Sequence, residues 1–219
     1  IALLDADDLW EPTKLEKQVA CLDARPEVGL VHTAIRYIDE RGGDLKRVLK
    51  SQLRDGDVWN ELVVNRGVRC GSAALIRRSC FEAVGVFDPE LTFDEDWDMY
   101  LRIATRYSFA TLDEPLVSYR QHDMNTSKNY QTILPNSLRV LERAFQTASA
   151  DRARVKSAAY GHTYLFAAWY AFGAGDVRQA AALHRQAFRE YPRLVYVKHS
   201  LNLSLQLARA QLLGCGTLR

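Results

Sequence analysis

Ile1-Ala2-Leu3-Leu4-Asp5-Ala6-Asp7-Asp8 places three carboxylates within four residues, directly after an apolar run. Four apolar residues bounded by polar ones read as a buried strand, and carboxylates at its end offer oxygen ligands at the rim of a sheet. Mg2+ or Mn2+ favours such oxygens and commonly holds phosphate-bearing substrates through one or two carboxylates. The alternative is a helix N-cap in a solvated acidic turn. An N-cap needs one carboxylate, whereas three close together repel unless a cation or basic partner neutralises them. Asp5 and Asp7 share a side if the extended conformation persists through the motif. A first residue set in a buried strand, with no initiator Met, gives the expectation that these 219 residues are a fragment.

Beyond the acidic turn, Pro12 suits a first helical position, and Leu15, Val19 and Leu22 follow at helical spacing, predicting a helix near 12–24. Val28 to Thr33 reads as a buried strand. Arg36 to Leu49 reads as a hairpin around Gly42-Gly43. A short helix is expected at about 57–64, a small-residue strand over Cys70 to Ile76, and a helix over Arg78 to Val84 ended by Gly85. A further helix opens at Phe93-Asp94-Glu95-Asp96-Trp97-Asp98, with its acidic residues where the helix dipole favours them. Two short strands, near 108–112 and 116–119, precede a polar loop from Arg120 to Asn129. From about 135 the pattern is amphipathic helix, with breaks at Ala150-Asp151, Gly173 to Asp176 and Tyr191-Pro192.

Alternating strands and helices in the first part argue for a mixed α/β sheet that places ligands at the carboxyl ends of strands. The second part is all helix, and Ala168 to Asp176 with Ala180, Ala187 and Tyr191-Pro192 resembles one tetratricopeptide-type hairpin. Stacked repeats need about three copies to bury a core, so a lone hairpin is the simpler reading. The expected division is therefore 1–134 and 135–219.

Composition is that of a globular protein, 47% hydrophobic and 26% charged. The formal charge of +2 hides an asymmetry: residues 1–135 hold 17 Lys+Arg against 23 Asp+Glu, and 136–219 hold 12 against 4. A basic helical tail suits anionic lipid headgroups or another acidic surface, which allows peripheral membrane contact; the plain alternative is a solvated helix face. The basic residues are dispersed with no nucleic-acid module around them, so no nucleic-acid partner is expected. Cys21, Cys70, Cys80 and Cys215 lack metal-type spacing and do not make a disulfide scaffold; reduced thiols and a cytoplasmic location are expected. No apolar run approaches the roughly 20 residues of a membrane-spanning helix, and no signal peptide is visible.

Two further groups carry chemistry. Asp94, Glu95, Asp96 and Asp98 are either first-turn decoration or a catalytic cluster, in which Trp97 beside Asp96 would desolvate it toward general-base use. His122 stands in a loop without an apolar stripe, and is either a surface histidine or a phosphate or metal contact, with Arg120 as a phosphate clamp. His32, His162, His184 and His199 have no ligand-spaced partners and receive no role.

Together these motifs resemble glycosyltransferase family 2, the inverting nucleotide-sugar transferases of GT-A fold. Leu4-Asp5-Ala6-Asp7-Asp8-Leu9-Trp10 with Pro12, Lys14 and Leu15 is similar to the family's DxD segment and following helix. Glu95 to Arg102 resembles its acidic ED motif, preceded by Gly85-Val86-Phe87-Asp88. Gly71-Ser72-Ala73-Ala74 with Arg77-Arg78 resembles the acceptor-side stretch, and His122 with Asn125 and Ser127 the late element near the diphosphate.

The resemblance implies a divalent metal, Mg2+ or Mn2+, on Asp7 with Asp5 and His122. It places Asp5, Asp8, Arg120 and His122 at the nucleotide and diphosphate, and Gly71, Ser72, Glu95 and Trp97 on the acceptor side. Asp96 would be the base, taking a proton from an acceptor hydroxyl as it attacks the anomeric carbon, with inversion. The donor would be a nucleoside-diphosphate sugar, a UDP-sugar by family analogy. The acceptor would be a glycan or lipid-linked acceptor in polysaccharide or glycoconjugate synthesis, at the cytoplasmic face of a membrane. The resemblance ends near residue 130, and the family's N-terminal nucleotide-binding half lies outside this sequence, so the isolated fragment is expected to be inactive. Two other readings remain: a non-catalytic interaction module using the helical hairpin, and another metal-dependent nucleotidyl or phosphoryl transferase.

Overall fold

The computed structural model describes residues 1–122 and 130–212, which form two compact units. The first is built from Ile1–Leu91 and the described chain from Glu95; the second from Thr92–Asp94 and the described residues after 129.

The first unit centres on a mixed five-stranded sheet. Strand β2 (Val28–Ile38) runs parallel to β5 (Ser108–Arg120). On the other edge of β2, its first half pairs antiparallel with β4 (Ala74–Ile76) and its second half with β3 (Asp44–Leu49). The short β1 (Leu9–Trp10) closes the far side, antiparallel to β5. Val28, Leu30, Val31, Ala34 and Ile35 of β2 are all at most 1% exposed. Burial on this scale stabilises by about 1.5–3 kcal/mol for each larger aliphatic side chain, and it explains why β2 reads as a continuous apolar run. The turn at Gly42, with φ +87°, closes the expected hairpin.

Helices α1 (Lys14–Ala24), α2 (Trp59–Asn65), α3 (Arg78–Val84) and α4 (Glu95–Ile103) complete the unit. Gly85 at φ +82° ends α3, its N–H bonding Phe81 O. Several expectations change. The strand expected over Cys70 to Ile76 is a 3-10 turn at Gly71–Ala73 followed by β4 alone, and the break expected at Ala150-Asp151 lies at 147–149, with Ala150 and Asp151 opening a short helix. Ile1–Leu4 is no buried strand: it makes one isolated bridge, Ala2 to Leu75, and Ile1 and Leu4 are 47% and 50% exposed. Among the described residues no strand lies on its outer side, so only one edge is covered. In α1 the buried face is Lys14, Gln18 and Leu22, while Leu15 and Val19 are exposed. Gln18 accounts for that phase, since its amide donates to Val31 O and Ala73 O, both at 3.0 Å, and anchors the polar stripe inward. Pro12 lies in the turn before the helix, which starts at Lys14 with its N–H on Glu11 O. The two strands expected between 108 and 119 are one, with register irregularities opposite Thr33 to Ile35 that absorb the polar Asp113-Glu114.

The second unit is helical. It contains α5 (Tyr130–Gln146), the short α6 (Ala150–Ala153), α7 (Lys156–Gly173), α8 (Val177–Glu190) and α9 (Lys198–Leu212). The expected change at 134/135 falls one turn inside α5. Helices α7 and α8 pack closely through Ala167, Ala168, Ala171, Ala180 and Ala187. Gly161 permits the approach, because a Cβ there would sit 2.5 Å from Tyr191 Cβ. Asp176 caps α8 by accepting the Gln179 N–H at 2.9 Å. Among the described residues no helix is long and apolar enough to cross a membrane.

Candidate active site

The parallel pair β2 and β5 has its carboxyl ends at Ile38 and Arg120, the place where open α/β sheets collect ligands. The acidic turn meets that edge. Because β1 is antiparallel to β5, with Leu9 opposite Ser118, the residues just before β1 lie beside the end of β5. The segment is a turn and not an extended run, since Asp8 N–H bonds Asp5 O at 3.1 Å. The three carboxylates therefore separate, and each acquires a different environment.

Asp7 faces His122, with an Asp7 carboxylate oxygen 2.7 Å from His122 Nε2. Both side chains are reachable, at 39% and 24% exposure. Asp5 has other neighbours: its N–H donates to Ser72 Oγ at 3.0 Å, and a Cβ on Gly71 would lie 3.9 Å from its carboxylate oxygens. Asp8 is buried, at 5% exposure, and its Oδ1 accepts the Arg120 N–H at 3.0 Å. Burial raises its pKa, opposed by the nearby Ser72 hydroxyl and the Arg120 amide. Asp8 Oδ2 has no partner in hydrogen-bond geometry, so the Ser72 hydroxyl acts on it as a dipole only.

Arg120 is not a clamp aimed at a phosphate through these groups. Its Nε donates to Asp7 O at 2.8 Å, and Nη1 to Asp39 O and Glu40 O at 3.0 and 2.9 Å. It fastens the acidic turn to the chain leaving β2. Ser72 is likewise wholly buried under the turn, accepting the Asp5 N–H while its carbonyl accepts Trp10 Nε1–H at 2.9 Å. Its contribution is to hold Asp5, not to line an open acceptor surface. Arg77, expected near the acceptor, closes the end of α1 instead by donating to Val28 O, Leu22 O and Arg25 O.

The second acidic run divides too. Asp94, at φ +66°, belongs to the helical unit, where it accepts the Ser137 hydroxyl at 2.5 Å. Asp98 is 5% exposed and accepts Arg102 Nε at 2.9 Å. Glu95 is exposed and Asp96 partly exposed at the start of α4, with the Trp97 N–H on Asp96 Oδ1 at 2.6 Å. Trp97 itself is 3% exposed. Its indole N–H bonds Leu62 O at 3.0 Å and the Arg66 guanidinium covers its ring at 4.0 Å, so it packs in the core and offers no face to an acceptor.

Two residues that sequence reasoning left without a role join the acidic segments. The Tyr100 hydroxyl is fully buried without a hydrogen-bond partner. Burial drives its pKa well up, and the charges of Asp96, Asp5 and Glu95 push it further. Burial also raises the Cys70 thiol, with Asp8, Asp5 and Asp96 adding to it. The two acidic segments, some ninety residues apart, thus bear on one buried pair. Its place as an aromatic in the helix that follows the second acidic run was the sequence signal for Tyr100.

Asp7 and His122 are the two side chains here that could hold a cation. Asp7 and His122 supply one oxygen and one nitrogen, and among the described residues no group of three or more His, Cys, Asp or Glu side chains forms a closed cage. Mg2+ and Mn2+ sites with one or two protein ligands, completed by water and phosphate oxygens, have this form. Asp5 lies outside that contact. Asn125 and Ser127 lie outside the described residues, as does Cys215; Cys21, Cys70 and Cys80 are free thiols.

Comparison with known proteins identifies the family. The family model described as glycosyltransferase-like family 2 matches residues 1–162, extending past residue 130 through α5 and α6 into α7. An uncharacterised glycosyltransferase of Methanocaldococcus jannaschii is 26% identical over 121 residues, 55% of this chain and 41% of that protein. One from Haemophilus influenzae is 24% identical over 140 residues, 59% of this chain and 42% of that protein. An uncharacterised protein of Mycobacterium tuberculosis is 31% identical over 124 residues, 56% of this chain and 34% of its own length. The chain spans less than half the length of these relatives. With a family match over most of its length, the chain belongs to glycosyltransferase-like family 2.

Proposed function

We propose that the protein carrying this chain is a metal-dependent, inverting glycosyltransferase that moves a sugar from a nucleoside-diphosphate sugar, a UDP-sugar by family analogy, to a hydroxyl of a glycan or lipid-linked acceptor. The observation that carries the proposal is the pairing of Asp7 with His122 at the carboxyl end of the parallel strands. Support comes from Asp5 and Asp96, which bear on the same buried Cys70 and Tyr100.

In this reading Asp7 and His122 hold Mg2+ or Mn2+, and Asp5 contacts the nucleotide. Such an ion, when bound, screens the charge of the departing diphosphate. Asp8 and Arg120 keep the turn in register. A carboxylate oxygen of Asp96 takes the proton from the acceptor hydroxyl as that oxygen attacks the anomeric carbon. The C–O bond to the diphosphate breaks as the new glycosidic bond forms on the opposite face. Glu95, exposed one residue earlier, orients the acceptor. The helical unit, rich in Lys and Arg, serves as an accessory surface for a membrane carrying the acceptor at its cytoplasmic face.

The deciding experiment is sugar-nucleotide turnover by the full-length protein beside Asp7→Ala and Asp96→Asn. A fall of at least about a hundredfold in both is expected, the scale of a lost general base or charge-stabilising group. Unchanged turnover in both would end this reading.

A further inference from the structure

A patch beside the acidic turn has the composition of a second binding site. Trp10, Tyr37, Leu49 and Tyr119, all partly exposed, pack on Ile35, Cys70, Ala73 and Val117. Tyr37 and Tyr119 are cross-strand partners whose rings meet edge to face at 5.7 Å. Two arginines accompany this patch. The guanidinium of Arg47, an exposed residue on the edge strand β3, lies 4.5 Å from the ring centre. Arg69 reaches the same region from the segment that leads into Gly71-Ser72, donating through Nε and Nη2 to Lys50 O at 3.0 and 2.7 Å.

Among the described residues neither arginine meets a carboxylate. Of the acids near this edge, Asp44 pairs with Lys46 at 3.2 Å and Asp113 with Lys50 at 3.7 Å, while Asp39 accepts the Arg41 and Gly43 N–H groups at 2.9 and 2.7 Å. Arg69 keeps the rest of its five donors, and its partial burial disfavours a charge that has no counter-ion. Guanidiniums with no carboxylate partner among the described residues suit a planar anion, which accepts charge-assisted bonds from such forks. Aromatic faces next to such a fork suit the apolar face of a sugar ring.

We propose that Arg47 and Arg69 with Tyr37 and Tyr119 bind an anionic saccharide, a sugar bearing a phosphate or a carboxylate. The position ties this site to the acidic turn. Arg69 is three residues from Ser72, no more than about 10 Å of chain, and Ser72 holds Asp5 directly. A saccharide anchored by its charged group at the arginines reaches toward Asp5 and Asp96. The assignment of that ligand as the acceptor rests on the glycosyl-transfer reading; the anion site itself does not.

The test is binding to the full-length protein, followed by calorimetry or by NMR line broadening, with glucose 1-phosphate, glucuronate and the neutral methyl glucoside as probes. At least one anionic probe is expected to bind saturably and the neutral one not to. Arg47→Ala and Arg69→Gln should each weaken that binding about tenfold or more, the size of a lost charge-assisted bond, and Asp7→Asn should leave it unchanged. Phosphate alone as the effective group identifies a phosphorylated or lipid-diphosphate-linked sugar, and both groups an acidic saccharide. Equal binding of the neutral sugar, retention in the double arginine variant, or loss in Asp7→Asn would overturn the proposal. Uridine diphosphate binding with Mn2+, measured in the same samples, reports separately on the catalytic reading.

Discussion

His122 Nε2 and a carboxylate oxygen of Asp7 lie 2.7 Å apart, joining the turn before β1 to the residue two past β5. Antiparallel pairing of those strands makes the meeting possible, and the Arg120 N–H on Asp8 sets its register. A shared cation requires both side chains. Asp7→Asn and His122→Gln should each weaken Mn2+ binding at least about tenfold, while thermal midpoints stay close to the parent's because both groups are partly exposed. Titration of Mn2+ against the full-length variants checks this; unaltered affinity in both removes the pair as ligands.

Asp8 separates charge from hydrogen bonding. Asp8→Asn keeps an acceptor for the Arg120 N–H and removes a buried charge whose pKa burial already raises. Its stability should equal or exceed the parent's near pH 7. Asp8→Ala leaves the Arg120 amide unsatisfied and should cost about 1–3 kcal/mol. Urea unfolding of the two variants gives the order directly.

Lys14 is fully buried, its ammonium 4.2 Å from the centre of the Trp10 ring and 2.6 Å from Gln18 Oε1, and burial lowers its pKa from 10.5 to about 8. Between those values the unfolded chain holds a proton that the folded one has released. The contribution of Lys14 to stability is therefore least below about pH 8 and grows toward pH 10.5, by an amount on the order of 2–3 kcal/mol. Buried thiols such as Cys80, raised to about 11, work in the opposite direction. The measurement is thus the difference in unfolding free energy between parent and Lys14→Met across pH 7 to 10.5, in which the parent should gain relative to the variant. A flat difference contradicts the burial of a charged Lys14.

Tyr100 carries a buried hydroxyl with no hydrogen-bond partner. Tyr100→Phe preserves the packing and deletes that group, so stability should rise by about 1 kcal/mol. A loss of stability in calorimetric melting would mean that the hydroxyl is satisfied in solution.

The sequence carried the periodic elements well: α3 from Arg78 to the Gly85 stop, the hairpin at Gly42, and the breaks at Gly173 to Asp176 and Tyr191-Pro192 follow from local preference, whereas the break expected at Ala150-Asp151 falls at 147–149, before α6. It misjudged α1, where Leu15 and Val19 point outward, because a buried stripe of Lys14 and Gln18 is stabilised by bonds to Val31 and Ala73 that no local pattern contains. Asp7 and His122 were legible as metal-binding residue types, and the family resemblance set them at one site. Their direct contact at 2.7 Å was not legible, since it depends on the register of β1 against β5.

What the sequence by itself determined is an α/β unit followed by helices, with two carboxylate runs and a loop histidine as the chemical groups, because periodicity and residue chemistry are properties of neighbouring residues. Tertiary structure alone decided which of those carboxylates do what. It set Asp7 against His122, buried Asp8 under Arg120, gave Asp94 to Ser137 and Asp98 to Arg102, and left Asp5 and Asp96 bearing on Cys70 and Tyr100. The role of a carboxylate depends on its burial and on the donors around it, and most of those donors come from residues far away in the chain.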